Sequence, residues 1–298
     1  MKNSNLKIMC VHAHFDDLEL SGGGTFELFR QKYGNQLQTL SLVCTDGKAG
    51  HHFLTRDETG RIRKSEQEVA GKIGGYETEL LTLPDGSHAR EGCLILDTAF
   101  MAALWHSIRR FQPDYLFCPP LTSHPLAGLH VDHEAVADAV RKIAYMVNVP
   151  HAFTPEYPTD ETQSESIKVP VILNFFDLYQ KSLNLPHDIA FNIEPVFEIP
   201  LRTSYAYRSQ IKEWLPWVVP NEFSAPKDLE EWKEFLINFY HSNSRKMGIV
   251  PERLIEAFTI TAWGSIPSYE QLIEDFPSMD VEASHFDELE KRLSQRRA

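Results

Sequence analysis

The sequence lacks an excess of positive charge. Its 298 residues include 29 lysines and arginines against 42 aspartates and glutamates, which gives a net charge of -13. A protein that binds nucleic acid or an anionic membrane surface needs positive charge to contact the phosphates. We therefore predict that nucleic acid is not a partner of this chain.

Long apolar runs and paired cysteines are also missing. No stretch approaches the roughly 18 apolar residues of a membrane-spanning helix, and the first residues lack the apolar segment of a secretory signal. The four cysteines, Cys10, Cys44, Cys93 and Cys118, form no CxxC pair, and three lie in apolar runs where a reduced thiol packs as a small hydrophobic group. We expect a soluble, cytoplasmic protein without a membrane span.

Short apolar runs alternate with longer stretches of helical period. The strand candidates are LKIMCVHA, LQTLSLVCT, TELLTLP, YLFCPP and VPVILNFF. Helices are indicated by TFELFRQKYG, RKSEQEVAGKIGG, DTAFMAALWHSIRRF and HEAVADAVRKIAYMV. Such alternation is typical of βαβ units. We predict an α/β fold with a Rossmann-like, mostly parallel sheet and helices on both of its faces.

The alternation weakens after about residue 200, where the sequence becomes aromatic and punctuated by proline. We predict an α/β core over residues 1–200 and a C-terminal elaboration over residues 201–298 that packs on it, within one structural domain. The polar stretch 154–168 has no core-forming pattern and is predicted to be an exposed loop or flap. The sequence leaves open whether this loop closes over a site as a lid.

The first strand ends in HAHFDDLELSGGGT, where charge is followed by three glycines. A P-loop needs GxxxxGK followed by Ser or Thr, and a dinucleotide site needs GxGxxG; this sequence contains neither. We interpret Gly22, Gly23 and Gly24 as a tight turn into a helix at Thr25, where a bulky side chain would obstruct whatever the acidic loop holds.

Two clusters of histidine and aspartate follow two of the predicted strands. His14 and Asp17 lie in the loop after the first strand, and GLHVDHEAV places His130, Asp132 and His133 between the YLFCPP strand and a helix. Ligand sites in open α/β sheets lie beyond the carboxyl ends of the strands. Two histidines and one carboxylate would leave an open coordination position, which is typical of a catalytic zinc site.

Each of these residues also has an ordinary structural interpretation. A histidine at a strand end is often a hydrogen-bonded structural residue, and Asp16 and Asp17 alone could be helix or turn caps. We interpret His12 as such a structural residue, and His51 and His52 as exposed loop residues. The coincidence of both clusters at strand ends favours a site over these separate interpretations.

The motif AHFDDLELSGGGT, followed by HVDH at residues 130–133, resembles the PIG-L/LmbE-like family of zinc-dependent N-deacetylases. The segments TDGKAG, RKSEQEVAGKIGG and LPDG are similar to the connecting segments of that family, and AYRSQ and IEAFTI to its later ones. The likeness spans most of the chain to about residue 265. The usual motifs of the family are His-Pro-Asp-Asp and His-Pro-Asp-His, and here Phe15 and Val131 replace both prolines.

The resemblance implies a metal site and a substrate class. His14, Asp17 and His133 would hold Zn2+, and the reaction would remove an acetyl group from an N-acetylated amino sugar or its conjugate, of the N-acetylglucosaminyl type. The partner is then a small-molecule substrate, and the sequence leaves open whether the chain forms a homo-oligomer. Trp214, Trp217 and Tyr207 are interpreted as a sugar-stacking surface or as ordinary packing.

The resemblance also implies catalytic roles. Asp16 would be the general base, a carboxylate beside the metal that takes a proton from water, and His130 would stabilise the oxyanion or protonate the leaving amine. Asp132 would orient a histidine, or alternatively cap the helix that follows. Arg63 would bind substrate, although a solvated arginine on a helix face explains it equally well.

Three other functions are compatible with these residues. Two histidines and one carboxylate also suit Fe(II), so a non-haem iron enzyme is one alternative, against which a free base at Asp16 argues. An inactive metal-binding protein is another, and a metal-dependent hydrolase of a different amide or ester is the third.

Overall fold

The structure is a computed structural model that describes residues 5–121, 130–158, 167–176 and 187–295. Within these ranges the chain forms one seven-stranded sheet surrounded by ten α-helices. The strands are β1 (Leu6–His12), β2 (Leu37–Val43), β3 (Glu77–Leu80), β4 (Tyr115–Cys118), β5 (Val171–Phe175), β6 (Ile189–Asn192) and β7 (Ile255–Ile260). The helices are α1 (Asp17–Ser21), α2 (Gly23–Tyr33), α3 (Arg56–Gly74), α4 (Thr98–Phe111), α5 (Val131–Ala144), α6 (Glu198–Tyr205), α7 (Leu215–Val218), α8 (Leu229–Lys246), α9 (Tyr269–Asp275) and α10 (Phe286–Gln295).

The sheet has the strand order β3-β2-β1-β4-β5-β7-β6. The pairs from β3 to β5 are parallel, whereas β7 runs antiparallel to both β5 and β6. In this register Met9 on the interior strand β1 lies between Leu40 of β2 and Leu116 of β4. The predicted mostly parallel, Rossmann-like sheet is confirmed.

Both faces of the sheet are covered because the side chains of its strands alternate between two hydrophobic clusters. Ile8 and Cys10 of β1 belong to one cluster, with residues of α2, α6, α8, α9 and α10. Met9 and Val11 belong to the other, with residues of α4 and α5. The prediction of helices on both faces is therefore confirmed. Among the described helices, none combines the length and the apolar character that crossing a membrane would require.

The C-terminal part of the chain contributes to the sheet itself. Strand β7 comes from the segment predicted as an elaboration and lies between β5 and β6. Parts of the chain on both sides of residue 200 therefore share one sheet and one hydrophobic core. The division of the chain at residue 200 stays a prediction.

Helix α3 buries a different face from the one that hydrophobic periodicity predicts. The sequence places Val69, Ala70 and Ile73 on one side of this helix, but Val69 is 45% exposed. The face that the protein buries is largely polar and includes Arg63 and Gln67. The predicted apolar face is wrong at Val69 because α3 turns polar side chains toward the interior below the loop after β1.

The predicted loop at residues 154–168 lies partly outside the described residues, which exclude 159–166. At its described C-terminal end Ile167 is buried, and its backbone N–H donates to the side-chain oxygen of Asn148 at 2.9 Å. Ile167 therefore anchors this end of the stretch to the core, whereas Lys168 beside it is exposed as predicted.

Candidate active site

The two histidine and aspartate clusters meet where the sheet topology reverses. Strand β1 pairs with β2 on one side and with β4 on the other. After β1 the chain adds β2 and β3 on one side of it and then crosses to β4 on the opposite side. The crevice at the carboxyl ends of β1 and β4 is the usual ligand position of such a sheet. Residues 14–17 lie just after β1. Residues 130–133 lie at the start of α5, which is the next helix after β4.

Three side-chain atoms converge in this crevice. Nδ1 of His14 lies 3.2 Å from Nε2 of His133 and 3.8 Å from Oδ2 of Asp17. Nε2 of His133 lies 3.4 Å from the same Asp17 oxygen. The backbone N–H of His14 donates to this oxygen at 2.8 Å, which fixes the Asp17 carboxylate in the loop.

The three donors fit a tetrahedral metal ion. Ligands about 2.1 Å from zinc lie about 3.4 Å apart at the corners of a tetrahedron, and the observed separations bracket this value. Imidazole nitrogen and carboxylate oxygen are also the donor types that zinc binds. The adjacent His133 and His14 hold the pKa of Asp17 well below its usual value, although burial opposes this, so the carboxylate is available as a ligand.

Asp132 contacts the other ring nitrogen of His14, Nε2, and not the Nδ1 atom that lies near His133 and Asp17. Its Oδ2 accepts a hydrogen bond from Nε2 of His14 at 3.0 Å, and its two oxygens accept from the backbone N–H groups of Gly92 and Leu94 at 2.6 and 3.0 Å. This carboxylate is fully buried. Burial alone would raise the pKa of Asp132, but these hydrogen bonds hold it below its usual value. His14 then presents Nδ1 to the convergence point because its other nitrogen is engaged.

A second group of potential ligands, His14, His130 and Asp132, also has its donor atoms within 4.8 Å of one another. The Asp132 oxygens in this group are already engaged by two backbone N–H groups and by His14. We therefore assign the ligand position to the first group and a supporting position to Asp132.

Asp16 lies beside the three donors in an unusual backbone conformation. Its φ of 88° falls in the left-handed region, which aspartate tolerates better than most residues. Arg63 donates from Nη1 to Oδ2 of Asp16 at 3.0 Å. Partial burial raises the pKa of the Asp16 carboxyl, although the Arg63 guanidinium opposes the rise. A raised pKa makes this carboxylate a better proton acceptor than an ordinary aspartate.

Arg63 is a buried residue and not a solvated one. It is 2% exposed, it donates from Nη2 to the backbone carbonyl of Phe15, and its guanidinium lies 5.8 Å from the Phe15 ring centre and 5.5 Å from that of Tyr207. The interpretation as a solvated helix-face arginine is therefore wrong. Arg63 lines the cavity, but its two terminal nitrogens hold the backbone and side chain of the loop that carries Asp16.

Phe15 occupies the position of the first family proline and is itself buried. It packs with Val43, Ala70 and Tyr207, and a Cβ on Gly47 would lie 2.3 Å from its ring. Gly47 has a φ of 62° and so must be glycine both for its backbone and for this contact. The packing of Phe15 therefore holds the loop at the position where the family proline would restrict the backbone dihedral angles.

His130 begins helix α5 and lines the same cavity as the three donors. Its Nδ1 accepts a hydrogen bond from the backbone N–H of Asp132 at 3.2 Å. Burial and the nearby His14 lower the pKa of His130, so the neutral ring is favoured. In that neutral ring the proton sits on Nε2, because Nδ1 is an acceptor.

The donors open into a cavity of about 660 Å³. Its polar end is lined by His14, Asp16, Asp17, Arg63, Glu91, His130 and His133. Its remaining wall comes from α1, α8 and the segment around α7, and it is mostly apolar. The sequence indicated that this C-terminal segment packs on the core and offered its aromatic residues as a possible sugar-stacking surface, but no sequence pattern indicated that α8 forms a wall of the cavity.

The aromatic candidates differ in their positions. Tyr207 is 1% exposed and donates to the Glu19 carboxylate at 2.9 Å, so its interpretation as a sugar-stacking residue is wrong and packing is confirmed. Trp214 lines the cavity. Trp217 is 56% exposed and stacks on Trp214 and on His52, with ring centres 5.4 and 5.0 Å apart.

Histidines outside the two clusters have structural positions. His12 is fully buried and joins the carbonyl of His14 to the hydroxyl of Ser41 through its two ring nitrogens, each at 2.7 Å, which confirms its structural interpretation. His52 is exposed as predicted. The His51 side chain is covered and pairs with Glu213 at 2.8 Å, so its interpretation as an exposed residue is wrong.

A network of buried polar side chains surrounds Glu19 of α1, and no sequence pattern indicated it. Gln67 of α3 donates to the Ser41 hydroxyl at 3.2 Å and to Glu19 at 3.3 Å, and Tyr76 and Tyr207 also donate to Glu19. Burial raises the pKa of Glu19 to about 7, although these phenol groups oppose the rise. The network joins α1, β2 and α3.

The three glycines pack against residues that follow β6 and not against the acidic loop. A Cβ on Gly24 would lie 2.6 Å from the Ile193 side chain. The backbone N–H groups of Gly24 and Thr25 donate to the two carboxylate oxygens of Glu256 at 3.0 and 2.7 Å. The interpretation of these glycines as clearance for a ligand is therefore wrong, because a buried carboxylate of the chain itself already occupies the N-terminus of α2.

Comparisons with known proteins find one family model that is similar to the part of the chain that holds these residues. The PIG-L family model, described as GlcNAc-PI de-N-acetylase, matches residues 9–144. This match confirms the resemblance carried by the two motifs, and both clusters lie within the matched segment. A comparison with curated proteins finds no significant match.

Several solved structures share the fold. N,N'-diacetylchitobiose deacetylase from Pyrococcus horikoshii, in complex with an inhibitor, has a TM-score of 0.65 at 20% identity and covers 86% of this chain and 84% of its own. The 4-carboxy-2-hydroxymuconate hydratase from Pseudomonas putida KT2440 has a TM-score of 0.58 at 16% identity, covering 86% and 95%. The A40926 pseudoaglycone deacetylase has a TM-score of 0.54 at 15% identity, covering 88% and 100%. Because a hydratase shares the fold with two deacetylases, the fold alone does not determine the reaction.

Proposed function

We propose that this protein is a zinc-dependent hydrolase that removes an acetyl group from an N-acetylated amino sugar, or a conjugate of one, of the N-acetylglucosaminyl type. The observation that carries the proposal is the convergence of His14, Asp17 and His133 at the base of a cavity, with a separate carboxylate, Asp16, beside them. The PIG-L family match supports the reaction type, and the deacetylases among the structural neighbours support the substrate class.

The proposed ligands are His14 through Nδ1, His133 through Nε2 and Asp17 through Oδ2. Zinc held there would acidify a water molecule and polarise the carbonyl of the bound amide. Asp132 keeps the His14 ring in the orientation that this requires, through the 3.0 Å hydrogen bond to Nε2.

Asp16 is the proposed general base. It accepts the proton of the attacking water, and Arg63 keeps the carboxylate aimed at the cavity through the 3.0 Å hydrogen bond. Because Asp16 is not one of the three converging donors, it remains available for proton transfer.

His130 is the proposed partner of the amide. Its Nε2–H in the neutral ring would donate to the carbonyl oxygen as negative charge develops there. The hydrogen bond from the Asp132 backbone N–H to Nδ1 orients the ring for this contact. The proton that Asp16 has accepted is then the one available for the leaving amine.

The alternatives make different predictions for the metal and the base. A non-haem iron enzyme would use Fe(II) in the same ligand set and would not require Asp16, whereas a hydrolase requires both. An inactive binding protein would hold metal without turnover. A hydrolase of another amide or ester would turn over substrates without an acetamido sugar.

The test is acetate release from a panel of N-acetylglucosamine derivatives by the zinc-loaded protein and by Asp16→Asn. We expect release by the wild type and a loss of about 100-fold to 10,000-fold in Asp16→Asn, with metal retained. Loss of metal in this variant would show that the role given to Asp16 is wrong. No release from any panel member by zinc-loaded wild type would overturn the proposed function.

A further inference from the structure

A second cavity lies against the face of α3 that carries Val69, and it has a volume of about 700 Å³. This size is within the range of small-molecule sites in proteins. Its lining comes from α3, from α6 and the residues that follow it, and from the start of α8, and it includes Val69, Ile73, Arg202, Tyr205, Arg208 and Leu229. None of these residues lines the cavity at the metal ligands. We call this second cavity the arginine pocket.

The apolar part of the arginine pocket is formed by residues that the hydrophobic core leaves uncovered. Val69 and Ile73 lie four positions apart and therefore share one side of α3. Val69 is 45% exposed, and Ile73 and Leu229 are only partly buried. A ligand that covered these side chains would remove apolar surface from water, which is favourable. The pocket therefore favours a ligand that has an apolar part.

The charge of the arginine pocket favours an anion. Arg208 is exposed, and the central carbon of its guanidinium lies 3.5 Å from the centre of the Tyr205 ring. No carboxylate in the described part of the chain pairs with Arg208. Arg202 contacts Glu198 through Nε, which leaves both of its terminal nitrogens outside this ion pair. Arginine N–H groups match the oxygens of a carboxylate or a phosphate, so these two side chains can receive an anionic group.

The neighbouring carboxylates at the start of α8 have other partners. Asp228 accepts hydrogen bonds from two backbone N–H groups of that helix, and Glu231 pairs with Lys227. A further cation lies close to the pocket, because Nζ of Lys212 is 5.9 Å from the centre of the Tyr205 ring. An anionic ligand would therefore meet positive charge that these carboxylates do not neutralise.

The two walls of the arginine pocket are fixed relative to each other. Tyr207, in the segment that follows α6, donates to the side-chain oxygen of Gln67 of α3 at 2.7 Å. Ser209 donates to the Glu66 carboxylate of α3 through its backbone N–H and through its hydroxyl, each at 2.7 Å. These hydrogen bonds join α3 to the segment that lines the opposite wall. A ligand that enters does not have to order the pocket, which lowers the free-energy cost of binding.

We propose that the arginine pocket binds a small organic anion, a molecule that joins one carboxylate or phosphate to a compact apolar group. The anionic group would contact Arg202 and Arg208, and the apolar group would cover Val69. Among the described residues that line the pocket there is no histidine, cysteine or carboxylate, so the pocket has no group suited to a second hydrolysis. This binding site goes beyond the function proposed for the metal ligands and does not depend on it.

The first experiment measures binding by calorimetry with phenylbutanoate, phenylbutyl phosphate, phenylbutanol and acetate. The first two probes are anions that share one apolar group, the alcohol lacks the charge, and acetate lacks the apolar group. We expect the better of the two aromatic anions to bind with a Kd about tenfold below those of the alcohol and of acetate, because both parts of the ligand contribute. The tighter of the two anions identifies the anionic group that the pocket prefers. No binding by either anion, or an alcohol that binds as tightly as the better anion, would overturn the inference.

The same titration with zinc-loaded and with metal-free protein distinguishes the arginine pocket from the metal site. A carboxylate or a phosphate could also bind a zinc ion directly. The Kd of the better anion should be the same in both forms of the protein, because no residue of the pocket lines the cavity at the metal ligands. A Kd that rises when zinc is removed would place the anion at the metal and contradict the proposal.

Two variants locate the bound anion. Arg208→Gln removes a charged contact and should raise the Kd of the better anion about five- to tenfold, and Val69→Ser removes apolar contact and should raise it about two- to fivefold. Arg61→Gln, at an exposed arginine of α3 that does not line the pocket, is the matched control and should bind as the wild type does. Circular dichroism checks that each variant is folded. A wild-type Kd in Arg208→Gln, or an equal rise in Arg61→Gln, would show that the anion does not bind in the arginine pocket.

Discussion

The Asp132 side chain contacts His14 but does not line the cavity of the candidate site. Its carboxylate is held by Gly92 and Leu94 and in turn orients His14. Asp132→Asn should lower zinc affinity about 10- to 100-fold, because the amide is uncharged and cannot accept all three hydrogen bonds. Competition with a chromophoric chelator measures this affinity.

The matched control for Asp132 is Asp138→Asn on the same helix, where the carboxylate pairs with Arg141 and Lys142 near the surface. Its zinc affinity should equal that of the wild type. If Asp132→Asn also bound zinc as tightly as the wild type, the orientation of the His14 ring would not depend on the Asp132 carboxylate.

Arg63 donates a hydrogen bond to Asp16 and is proposed to position its carboxylate. Arg63→Lys keeps the positive charge but cannot contact both the Asp16 carboxylate and the Phe15 carbonyl with the same geometry. We expect kcat to fall on the order of 100-fold with zinc content retained and KM nearly unchanged, since misplacement of a catalytic group chiefly slows the reaction.

Steady-state kinetics and metal analysis test this prediction for Arg63. Arg56→Lys, at an exposed arginine of the same helix that contacts Asp46, should behave as the wild type. A rise in KM without a change in kcat would instead indicate that Arg63 contacts the substrate directly.

At the scale of elements, Glu256 of β7 fixes the start of α2. Its carboxylate accepts from two N–H groups of the first helical turn, and Tyr240 donates to it from α8 at 3.1 Å. A carboxylate at this position also interacts favourably with the helix dipole. Glu256→Gln should lower the free energy of unfolding by about 2 kcal/mol, because one amide oxygen replaces two carboxylate oxygens as acceptors.

Urea unfolding followed by circular dichroism measures this change. Glu252→Gln, just before β7, is the control because Glu252 is exposed and pairs only with Arg245 among the ion pairs of the described chain. A loss of stability that is equal in both variants would indicate that the contact with α2 contributes nothing specific.

The sequence predicted the elements that have a regular apolar pattern. Phe100, Leu104 and Ile108 of α4 are buried as their spacing indicated, and the parallel strands follow from their apolar runs. The buried face of α3 was not predictable in this way, because residues such as Gln67 are polar and are buried with hydrogen-bond partners on α1 and β2 and with Tyr207.

At the scale of the whole molecule, the candidate site was predictable where its residues lie in short motifs. His14 follows β1 and His133 lies in the first turn of α5, the next helix after β4, and the parallel pairing of β1 with β4 brings these segments to the same edge of the sheet. The contact of Asp132 with Gly92 and the wall that α8 adds to the cavity join distant parts of the chain. No local pattern encodes such contacts, so they required the structure.

The central claim is that His14, Asp17 and His133 hold one catalytic metal ion. The most direct test is to titrate metal-free protein with zinc and to measure acetate release at each addition, in the wild type and in His133→Ala. The claim predicts that release rises with zinc up to one equivalent in the wild type and stays at background in His133→Ala, which should also bind zinc far more weakly. Acetate release by metal-free protein, or full activity in His133→Ala, would contradict it.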